Sequence, residues 1–313
     1  MRTFLVTGGA GFIGSHLVEA LLDREDRVRI LDDFSTGHRE NIPRRGNVEL
    51  VEGSLTDAAA VERAVQGVDC IFHEAALASV PRSIEKPLDT HAACVTGTVT
   101  LLHAAQKAGV RRVVYAASSS AYGDKATSSK RETDLPNPLS PYAAAKLAGE
   151  FYCHAFAHSF GIETVALRYF NVFGPRQDPN SPYSAVIPLF VTAMLAGRRP
   201  VIYGDGQQSR DFTFVGNVVQ GNLLAADAPN VSGRTFNLAN GRSTTLLALI
   251  GLLNEYLGTR VEPTFESPRV GDVRESLADI SEARRALKYE PATSFEEGLR
   301  RTIAYYRETA GRK

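Results

Sequence analysis

The sequence predicts an α/β protein in which helices cover both faces of a doubly wound parallel sheet, and three observations predict it. Short apolar runs alternate with longer helical patterns through the first half of the chain. A glycine-rich turn follows the first apolar run and opens the first helical pattern. An acidic residue ends the second run, about 20 residues further on. This alternation is typical of a parallel sheet that is buried on both sides.

The apolar runs and the helical patterns give the expected elements in order. The expected strands are Thr3–Thr7, Val28–Leu31, Val48–Val51, Cys70–His73, Val113–Ala117 and Thr164–Leu167. The expected helices between them are His16–Leu22, Asp57–Val65, Asp89–Ala108 and Tyr142–Phe160. Further helices are expected at Ala185–Ala196, Thr245–Leu257, Ser281–Leu287 and Phe295–Tyr306.

The composition of the chain changes after Phe170, where loops rich in Pro, Gly and Asn begin. We therefore expect a first lobe at residues 1–170 and a smaller mixed α/β lobe at 171–313. No flexible linker separates them, so a segment near 212–240 is expected to return to the first lobe. The active site is expected between the lobes.

Composition favours a small-molecule ligand. The 313 residues include 35 basic and 35 acidic residues, which argues against nucleic acid or a membrane surface as partner. Cys70, Cys94 and Cys153 have neither disulfide nor metal-ligand spacing, so no metal is expected. The first strand leaves no room for a signal peptide and no apolar run has bilayer length, which predicts a cytoplasmic protein.

The glycine-rich turn predicts a dinucleotide site of the Rossmann type. Gly8, Gly11 and Gly14 would allow a tight turn, close approach of the backbone to a pyrophosphate, and close packing of helix on strand. Amides at the helix N-terminus would then face the phosphates. Asp32 would accept hydrogen bonds from a ribose diol, and its charge would repel the extra phosphate of NADP. NAD is therefore the expected cofactor.

Tyr142 and Lys146 form a candidate catalytic pair. They stand four residues apart on one face of the helix that begins after Ser140-Pro141. We expect the lysine charge to lower the tyrosine pKa toward neutrality, so that the phenol can take a proton while hydride leaves the same carbon. Ser118, at the carboxyl end of the Val113–Ala117 strand, would bridge Tyr142 and the substrate oxygen.

With these motifs in view, the chain resembles the extended short-chain dehydrogenase/reductase family, and within it the NAD-dependent nucleotide-sugar 4-epimerases. The resemblance covers nearly the whole chain, including His73-Glu74-Ala75-Ala76, the Ser118–Ser120 run and Arg168-Tyr169-Phe170-Asn171-Val172-Phe173-Gly174-Pro175. It continues through Gly204-Asp205-Gly206, Arg210-Asp211-Phe212 and Arg269-Val270-Gly271-Asp272-Val273-Arg274.

The resemblance implies a role for each matching residue. Ser118, Tyr142 and Lys146 would be catalytic, with Lys146 also gripping the nicotinamide ribose. Cofactor contacts are implied for Gly8, Gly11, Phe12, Ile13, Gly14, Asp32, Phe34, Ser35, Thr36, Gly37, Ser54, Leu55, Ala75, Ala76, Ala78, Ala116, Tyr142, Lys146, Tyr169 and Val172. Contacts with the UDP-sugar are implied for Ser79, Ser118, Ser119, Ser120, Tyr142, Asn171, Gln177, Ala185, Val186, Tyr203, Arg210, Arg269, Asp272 and Ser276.

Among those contacts, Asn171, Arg210 and Arg269 would hold the diphosphate and Asp272 the uridine ribose. A guanidinium matches phosphate oxygens and keeps its charge. The alternative, that Arg210 and Arg269 only pair with Asp211 and Asp272, stays open. The family also implies a homodimer through a four-helix bundle, for which Ala92–Ala108 and Leu147–Phe160 carry apolar stripes.

The same resemblance limits which reaction and which sugar are expected. Related dehydratases and decarboxylases carry a glutamate where this chain has Ser120, which favours epimerisation. Asp178 argues against an acidic sugar. Ser276, seven positions after Arg269, stands where glucose-restricted epimerases have tyrosine, so a C2 N-acetyl group would fit.

We therefore expect UDP-N-acetylglucosamine and UDP-N-acetylgalactosamine as substrates, with UDP-glucose and UDP-galactose also turned over. The alternatives are a UDP-glucuronate 4-epimerase or decarboxylase and a non-enzymatic NAD-binding regulator. Regulators of that kind usually lose the Tyr/Lys pair, which is retained here.

Overall fold

A computed structural model of the protein describes residues 1–124, 129–179, 185–268 and 274–310. Its strands are β1 (Thr3–Thr7), β2 (Arg27–Asp32), β3 (Val48–Glu52), β4 (Cys70–His73), β5 (Arg112–Ser118), β6 (Glu163–Tyr169), β7 (Val172–Phe173), β8 (Val201–Tyr203), β9 (Ser209–Asp211), β10 (Thr213–Phe214), β11 (Arg234–Leu238), β12 (Ser243–Thr245), β13 (Thr264–Glu266) and β14 (Glu275–Ser276). Its α-helices are α1 (Phe12–Asp23), α2 (Ala58–Val65), α3 (Val80–Glu85), α4 (Pro87–His91), α5 (Gly97–Lys107), α6 (Pro141–Phe160), α7 (Val186–Leu195), α8 (Val215–Asp227), α9 (Leu246–Leu257), α10 (Ser281–Leu287) and α11 (Phe295–Ala310).

The main sheet confirms the predicted doubly wound α/β fold. Within the described residues it has seven parallel strands in the order β11-β6-β5-β4-β1-β2-β3. The strand order reverses at β1, which pairs with β2 on one side and with β4 on the other. A crevice forms outside the carboxyl ends of strands at such a point, and ligands bind there.

Two apolar layers cover the sheet. One contains Leu17 of α1 and Val218 of α8, and the other contains Val61 of α2, Leu101 of α5 and Cys153 of α6. Since the inner strands are buried on both faces, they are nearly continuous apolar runs, and this is why their positions could be predicted.

Residues 234–238 belong to the main sheet although they follow the loop-rich region. Strand β11 pairs in parallel with β6, and the preceding helix α8 packs on the face that carries α1. Neither element was among the expected ones, because the sequence around them has no strong periodicity. The division into lobes near residue 170 stays a prediction.

The remaining elements lie beside the carboxyl edge of the sheet. Strand β9 pairs with β12 and β14, and β8 pairs with β13. An aromatic cluster fills their core, in which the ring of Phe173 lies 5.4 Å from Phe295 and 6.4 Å from Phe212 between centroids. This packing holds β9, α11 and the segment after β6 together.

The prediction of one continuous α-helix at Asp89–Ala108 is wrong, because the α-helix is interrupted in the middle of this range. A π-helical segment at Ala92–Thr96 separates α4 from α5. Two contacts accompany it: Thr98 Oγ1 donates to the Cys94 carbonyl at 2.7 Å, and a Cβ on Gly97 would lie 2.7 Å from Leu55 Cβ. A hydroxyl that bonds a backbone carbonyl competes with regular helix pairing, and π-bulges are frequent at functional sites.

In the ranges that the structure describes, no helix combines the length and apolar character needed to cross a bilayer. The same residues contain no group of three His, Cys, Asp or Glu side chains arranged to hold a metal. All three cysteines are buried and free.

Candidate active site

The glycine turn between β1 and α1 forms a close-packed cradle. Gly8 has φ +69°, and a Cβ there would lie 2.8 Å from the backbone of Ala75. A Cβ on Gly14 would lie 2.1 Å from the Gly8 carbonyl oxygen. Gly11 is the N-cap of α1 and offers no side-chain cap, so the first amides of the helix stay available to an anion. The residues present therefore fit a pyrophosphate.

Asp32, at the end of β2, is positioned by backbone amides. Its Oδ2 accepts from Ala10 N at 2.9 Å and its Oδ1 from Phe34 N at 2.9 Å. Burial raises the pKa of this carboxyl, and the two amide hydrogen bonds oppose that effect. Each oxygen keeps a second lone pair that can accept from a ribose hydroxyl.

Arg39 is the first arginine after Asp32 in the chain, and its side chain has other partners. Its guanidinium lies 4.0 Å from the centroid of the Phe34 ring and forms an ion pair with Glu52. An arginine that is already paired is poorly placed to bind a 2′-phosphate, so this arrangement fits NAD better than NADP.

A cavity of about 590 Å³ runs along the carboxyl ends of the first strands. The residues on its wall that were expected at the cofactor or substrate are Gly8, Gly11, Phe12, Ile13, Gly14, Asp32, Ser35, Thr36, Gly37, Ser54, Leu55, Ala75, Ala76, Ala78 and Ser79. The expected cofactor residues Phe34, Ala116, Tyr142, Lys146, Tyr169 and Val172 lie outside that wall. The structure thus brings most of the expected cofactor set into one cavity.

Ser118 ends β5 and starts a short 3-10 turn over Ser119–Tyr122. Its hydroxyl oxygen accepts from Ser120 Oγ at 2.8 Å and from Ser120 N at 3.2 Å. The serine run is therefore one hydrogen-bonded unit at the carboxyl edge of the sheet, and Ser118 is half-buried within it.

Tyr142 lies in the first turn of α6, which has a strong N-terminal signal. Ser140 is the N-cap, with its hydroxyl accepting from Ala143 N at 3.1 Å, and Pro141 occupies the first helical position. This cap fixes where the helix begins, and hence where Tyr142 stands relative to Ser118.

The expected lowering of the Tyr142 pKa by Lys146 is wrong for the unliganded protein. Burial raises the pKa of the phenol, the Cys94 sulfur raises it further, and the neighbouring Ser118 hydroxyl lowers it. The Lys146 Nζ lies over the ring of Tyr115, 4.7 Å from the centroid. The phenol is protonated at neutral pH in this state.

Lys146 is buried, and burial lowers its pKa. Cys94, Glu74 and Cys153 act in the opposite direction and favour the charged ammonium. The Tyr115 hydroxyl donates to the Lys146 carbonyl at 3.1 Å, which ties the helix to β5 at this point. The lysine is therefore enclosed near the carboxyl ends of β4 and β5, where Glu74 favours its charged form.

The expected diphosphate residues Asn171 and Arg210 lie on adjoining segments, with Ser276 beside them. Asn171 has φ +33°, a conformation that asparagine tolerates better than most residues. Its Nδ2 donates to Ser276 Oγ and to the Asp211 carbonyl, each at 3.4 Å. Ser276 of β14 is paired in register with Arg210 of β9.

Asp211 serves the fold of this region. Its carboxylate accepts from the backbone amides of Asn240, Gly241 and Ala278 at 2.9 to 3.2 Å. Arg210 Nη1 donates to the Ser209 carbonyl at 2.8 Å. Asp211 therefore ties β9 to the segments before β12 and after β14.

Of the other expected substrate residues, two line a second cavity and two lie at the start of α7. Gln177 and Tyr203 line a cavity of about 890 Å³ that also contains Asp178, Tyr305 and Tyr306. Ala185 is the N-cap of α7 and Val186 its first residue. Arg269 and Asp272 lie outside the described residues.

Glu74 was expected only as part of a family motif, and the structure gives it a place in the site. It follows β4 directly, lines the smaller cavity and interacts electrostatically with Lys146. The sequence feature that could have identified Glu74 as a site residue is its position: it is an acidic residue immediately after a buried strand, at the sheet edge where ligands bind.

Comparison with known proteins gives a consistent family. The model of the NAD dependent epimerase/dehydratase family matches residues 4–239. A UDP-glucose 4-epimerase of Mycolicibacterium smegmatis is 40% identical over 313 residues, covering 98% of this chain and 99% of the relative.

Two solved structures are similar over their full lengths. The UDP-N-acetylglucosamine 4-epimerase of Methanobrevibacter ruminantium M1, in complex with UDP-N-acetylmuramic acid, has a TM-score of 0.95 at 40% identity, with 98% of this chain and 99% of that chain covered. The UDP-glucose 4-epimerase of Thermotoga maritima, with UDP-glucose, has a TM-score of 0.94 at 39% identity and the same coverage. The relatives are named for different sugars.

Proposed function

Since the chain belongs to the NAD dependent epimerase/dehydratase family, we propose that it interconverts UDP-N-acetylglucosamine and UDP-N-acetylgalactosamine by inverting C4 of the sugar. It is an NAD-dependent UDP-sugar 4-epimerase. The proposal concerns the sugar it takes and the residues that act on it.

When bound beside the sugar, NAD would supply the acceptor and the donor of a hydride at C4. Tyr142 takes the proton of the C4 hydroxyl as the hydride leaves, and returns it when the ketone is reduced. The Ser118 hydroxyl bridges the phenol and the sugar oxygen. No proton or electron is consumed over the cycle.

Tyr142 must lose its proton before it can act as a base. Burial keeps the phenol protonated in the unliganded protein. Lys146 is on the same helix face and is the cation that can stabilise a phenolate once the site is filled. We propose that Lys146 has this role in addition to holding the nicotinamide ribose.

The contact of Ser276 with Asn171 supports the choice of an acetylated sugar. The hydroxymethyl group of Ser276 lies against an expected diphosphate residue, in register with Arg210. A tyrosine at this position would project a phenol into the same space. Pocket volume of that order changes discrimination between substrates by roughly 1–3 kcal/mol.

Asp178 supports a neutral sugar. It lies on the walls of both cavities, one residue after Gln177, an expected substrate contact. A carboxylate there would repel the acid group of a glucuronate. Ser119 and Ser120, in place of carboxylates, argue against loss of water or carbon dioxide.

Substitution of Ser276 tests the sugar directly. Ser276→Tyr should remove turnover of the two acetylated UDP-sugars while UDP-glucose and UDP-galactose remain substrates. Ser276→Ala is the matched control, because it removes the hydroxyl without filling space, and it should keep both activities. Undiminished turnover of the acetylated pair by Ser276→Tyr would contradict the proposal.

We also propose a homodimer that uses α6 together with the segment before α5. Leu88 of α4 and Phe151 and Tyr152 of α6 are exposed apolar side chains on helices that pack together. Sedimentation velocity of Phe151→Glu, compared with the native chain, tests this: the variant should sediment as a monomer. A cytoplasmic location also stays a prediction.

A further inference from the structure

A carboxyl group lies on the wall of the cofactor cavity at the end where the catalytic lysine is enclosed. Glu74 follows His73, the last residue of β4, and is partly exposed on the cavity wall. Lys146 and Glu74 each alter the pKa of the other. Asp32 and Ser54 lie on the same wall at the carboxyl ends of β2 and β3, on the far side of β1.

Glu74 is held in place by a chain of hydrogen bonds. Asn222 Nδ2 donates to the Val218 carbonyl at 2.9 Å and to the Tyr169 hydroxyl at 2.8 Å, so both amide hydrogens are used. The Tyr169 hydroxyl has one hydrogen, and its shorter bond is to Glu74 Oε1 at 2.8 Å, against 3.1 Å to Asn222 Oδ1. The carboxyl is therefore fixed as an acceptor.

The charge of Glu74 changes near neutral pH. Burial raises its pKa to about 7, while the Tyr169 hydrogen bond and the charge of Lys146 both oppose that effect. The groups that face it are Lys146 from α6, Tyr169 from β6 and, through Tyr169, the neutral amide of Asn222 from α8. His73 stays neutral, since burial lowers its pKa to about 3.

We propose that the Glu74 carboxylate sets the balance between the oxidised and reduced forms of NAD held in this cavity, which rests on the proposed function. The oxidised nicotinamide ring is a cation and the reduced ring is neutral. A carboxylate at the catalytic end therefore favours the oxidised form, and Lys146 favours the reduced form. Glu74 is a positioning residue that acts through charge.

This balance matters for an epimerase in particular. The hydride must be given back to the same sugar, so a reduced form of NAD that is too stable would slow the reduction of the ketosugar. The Glu74 charge works against that outcome, and its fixed orientation keeps the effect constant through the cycle.

The experiment measures the ratio of reduced to oxidised bound NAD in the holoprotein, equilibrated with a mediator dye of known potential and followed by NADH absorbance. In Glu74→Gln the ratio should rise about tenfold at pH about 8.5, where the native carboxyl is charged. At pH about 5.5 the native and variant ratios should agree, because the native carboxyl is then protonated. Asp89→Asn is the control, since it removes a carboxylate from the wall of the same cavity that does not act on Lys146.

A second variant tests the hydrogen-bond chain. Tyr169→Phe keeps the carboxyl but removes a bond that lowers its pKa, so the pH at which the ratio changes should move upward. A ratio in Glu74→Gln that is unchanged, or that changes by the same factor at both pH values, would overturn the proposal. The measurement needs no UDP-sugar, so failure to epimerise an acetylated sugar would contradict the proposed function alone.

Discussion

The guanidinium of Arg168 donates to both carboxylate oxygens of Glu150, at 2.9 and 2.7 Å, in a pair that is almost fully buried. Glu150 lies one turn after Lys146 on α6, and Arg168 lies on β6. The pair therefore joins the helix that carries Tyr142 to the sheet beside it.

Removal of one residue of the Arg168–Glu150 pair should lower the free energy of unfolding substantially. Glu150→Ala leaves a buried guanidinium without its anion and should lower the free energy of unfolding by about 3–5 kcal/mol. Glu297→Ala is the control, because its ion pair with Arg301 is exposed and should contribute less than about 1 kcal/mol. Urea denaturation measures both, and equal losses would contradict this assignment.

Gly14→Ala should abolish NAD binding. The added Cβ would meet the Gly8 carbonyl oxygen at 2.1 Å, and since that atom is backbone, the turn has to move. We expect a loss of unfolding free energy of about 1–3 kcal/mol as well. Gly251→Ala in α9 is the matched control: no atom lies within 4 Å of its Cβ, so the helix should gain stability. Calorimetric titration measures NAD binding, and normal binding of NAD by Gly14→Ala would contradict this prediction.

Asp32→Asn should weaken NAD binding and reduce its preference over NADP. The variant loses one acceptor that the amides of Ala10 and Phe34 use, together with the charge that repels a 2′-phosphate. We expect about tenfold lower affinity for NAD, equal to about 1.4 kcal/mol. Asp23→Asn removes an exposed carboxylate that is not on the cavity wall, and this variant should bind as the native protein does. An unchanged NAD-to-NADP affinity ratio in Asp32→Asn would argue against the ribose contact.

His73 should contribute a loss of stability in mild acid. Its ring nitrogens lie 2.8 Å from Thr7 Oγ1 and 2.9 Å from Thr98 Oγ1, and burial lowers its pKa to about 3. The unfolded chain then binds more protons than the native state below the ordinary histidine pKa. The His73 contribution to the unfolding free energy therefore falls as pH falls through this range, by about 2 kcal/mol between pH 7 and 5.

His73→Asn should remove that part of the pH dependence, because an amide does not titrate. The surface variant His158→Asn should keep it. Urea denaturation at the two pH values checks this, and a full pH dependence in His73→Asn would place its origin in another group.

The sequence was most informative where one local signal determines the structure. Five of the six strands from β1 to β6 could be placed because each is a largely buried apolar run, and the edge strand β3 because its apolar residues alternate with glutamates. Helix α6 could be placed because Ser140-Pro141 caps it. The interruption at Ala92–Thr96 could not be predicted, since it accompanies the approach of Gly97 to Leu55, a contact between distant segments. Strand β11 likewise depends on its pairing with β6.

The candidate site could likewise be predicted only where a local sequence signal determines the structure. The cofactor cavity could be predicted because its glycines and Asp32 lie next to known strand ends. The state of Tyr142 could not, because its pKa depends on how deeply the phenol is buried and on its neighbours Cys94 and Ser118 from other elements. Glu74 was missed as a functional group because its neighbours Tyr169, Asn222 and Lys146 come from three other elements.

The central claim is tested most directly by incubating the purified protein with UDP-N-acetylglucosamine, without an added reductant or oxidant, and observing the sugar by NMR. The account predicts UDP-N-acetylgalactosamine of unchanged mass at equilibrium with its epimer. Tyr142→Phe should form no epimer while still binding NAD. A product of different mass, or epimerisation that survives in Tyr142→Phe, would contradict the account.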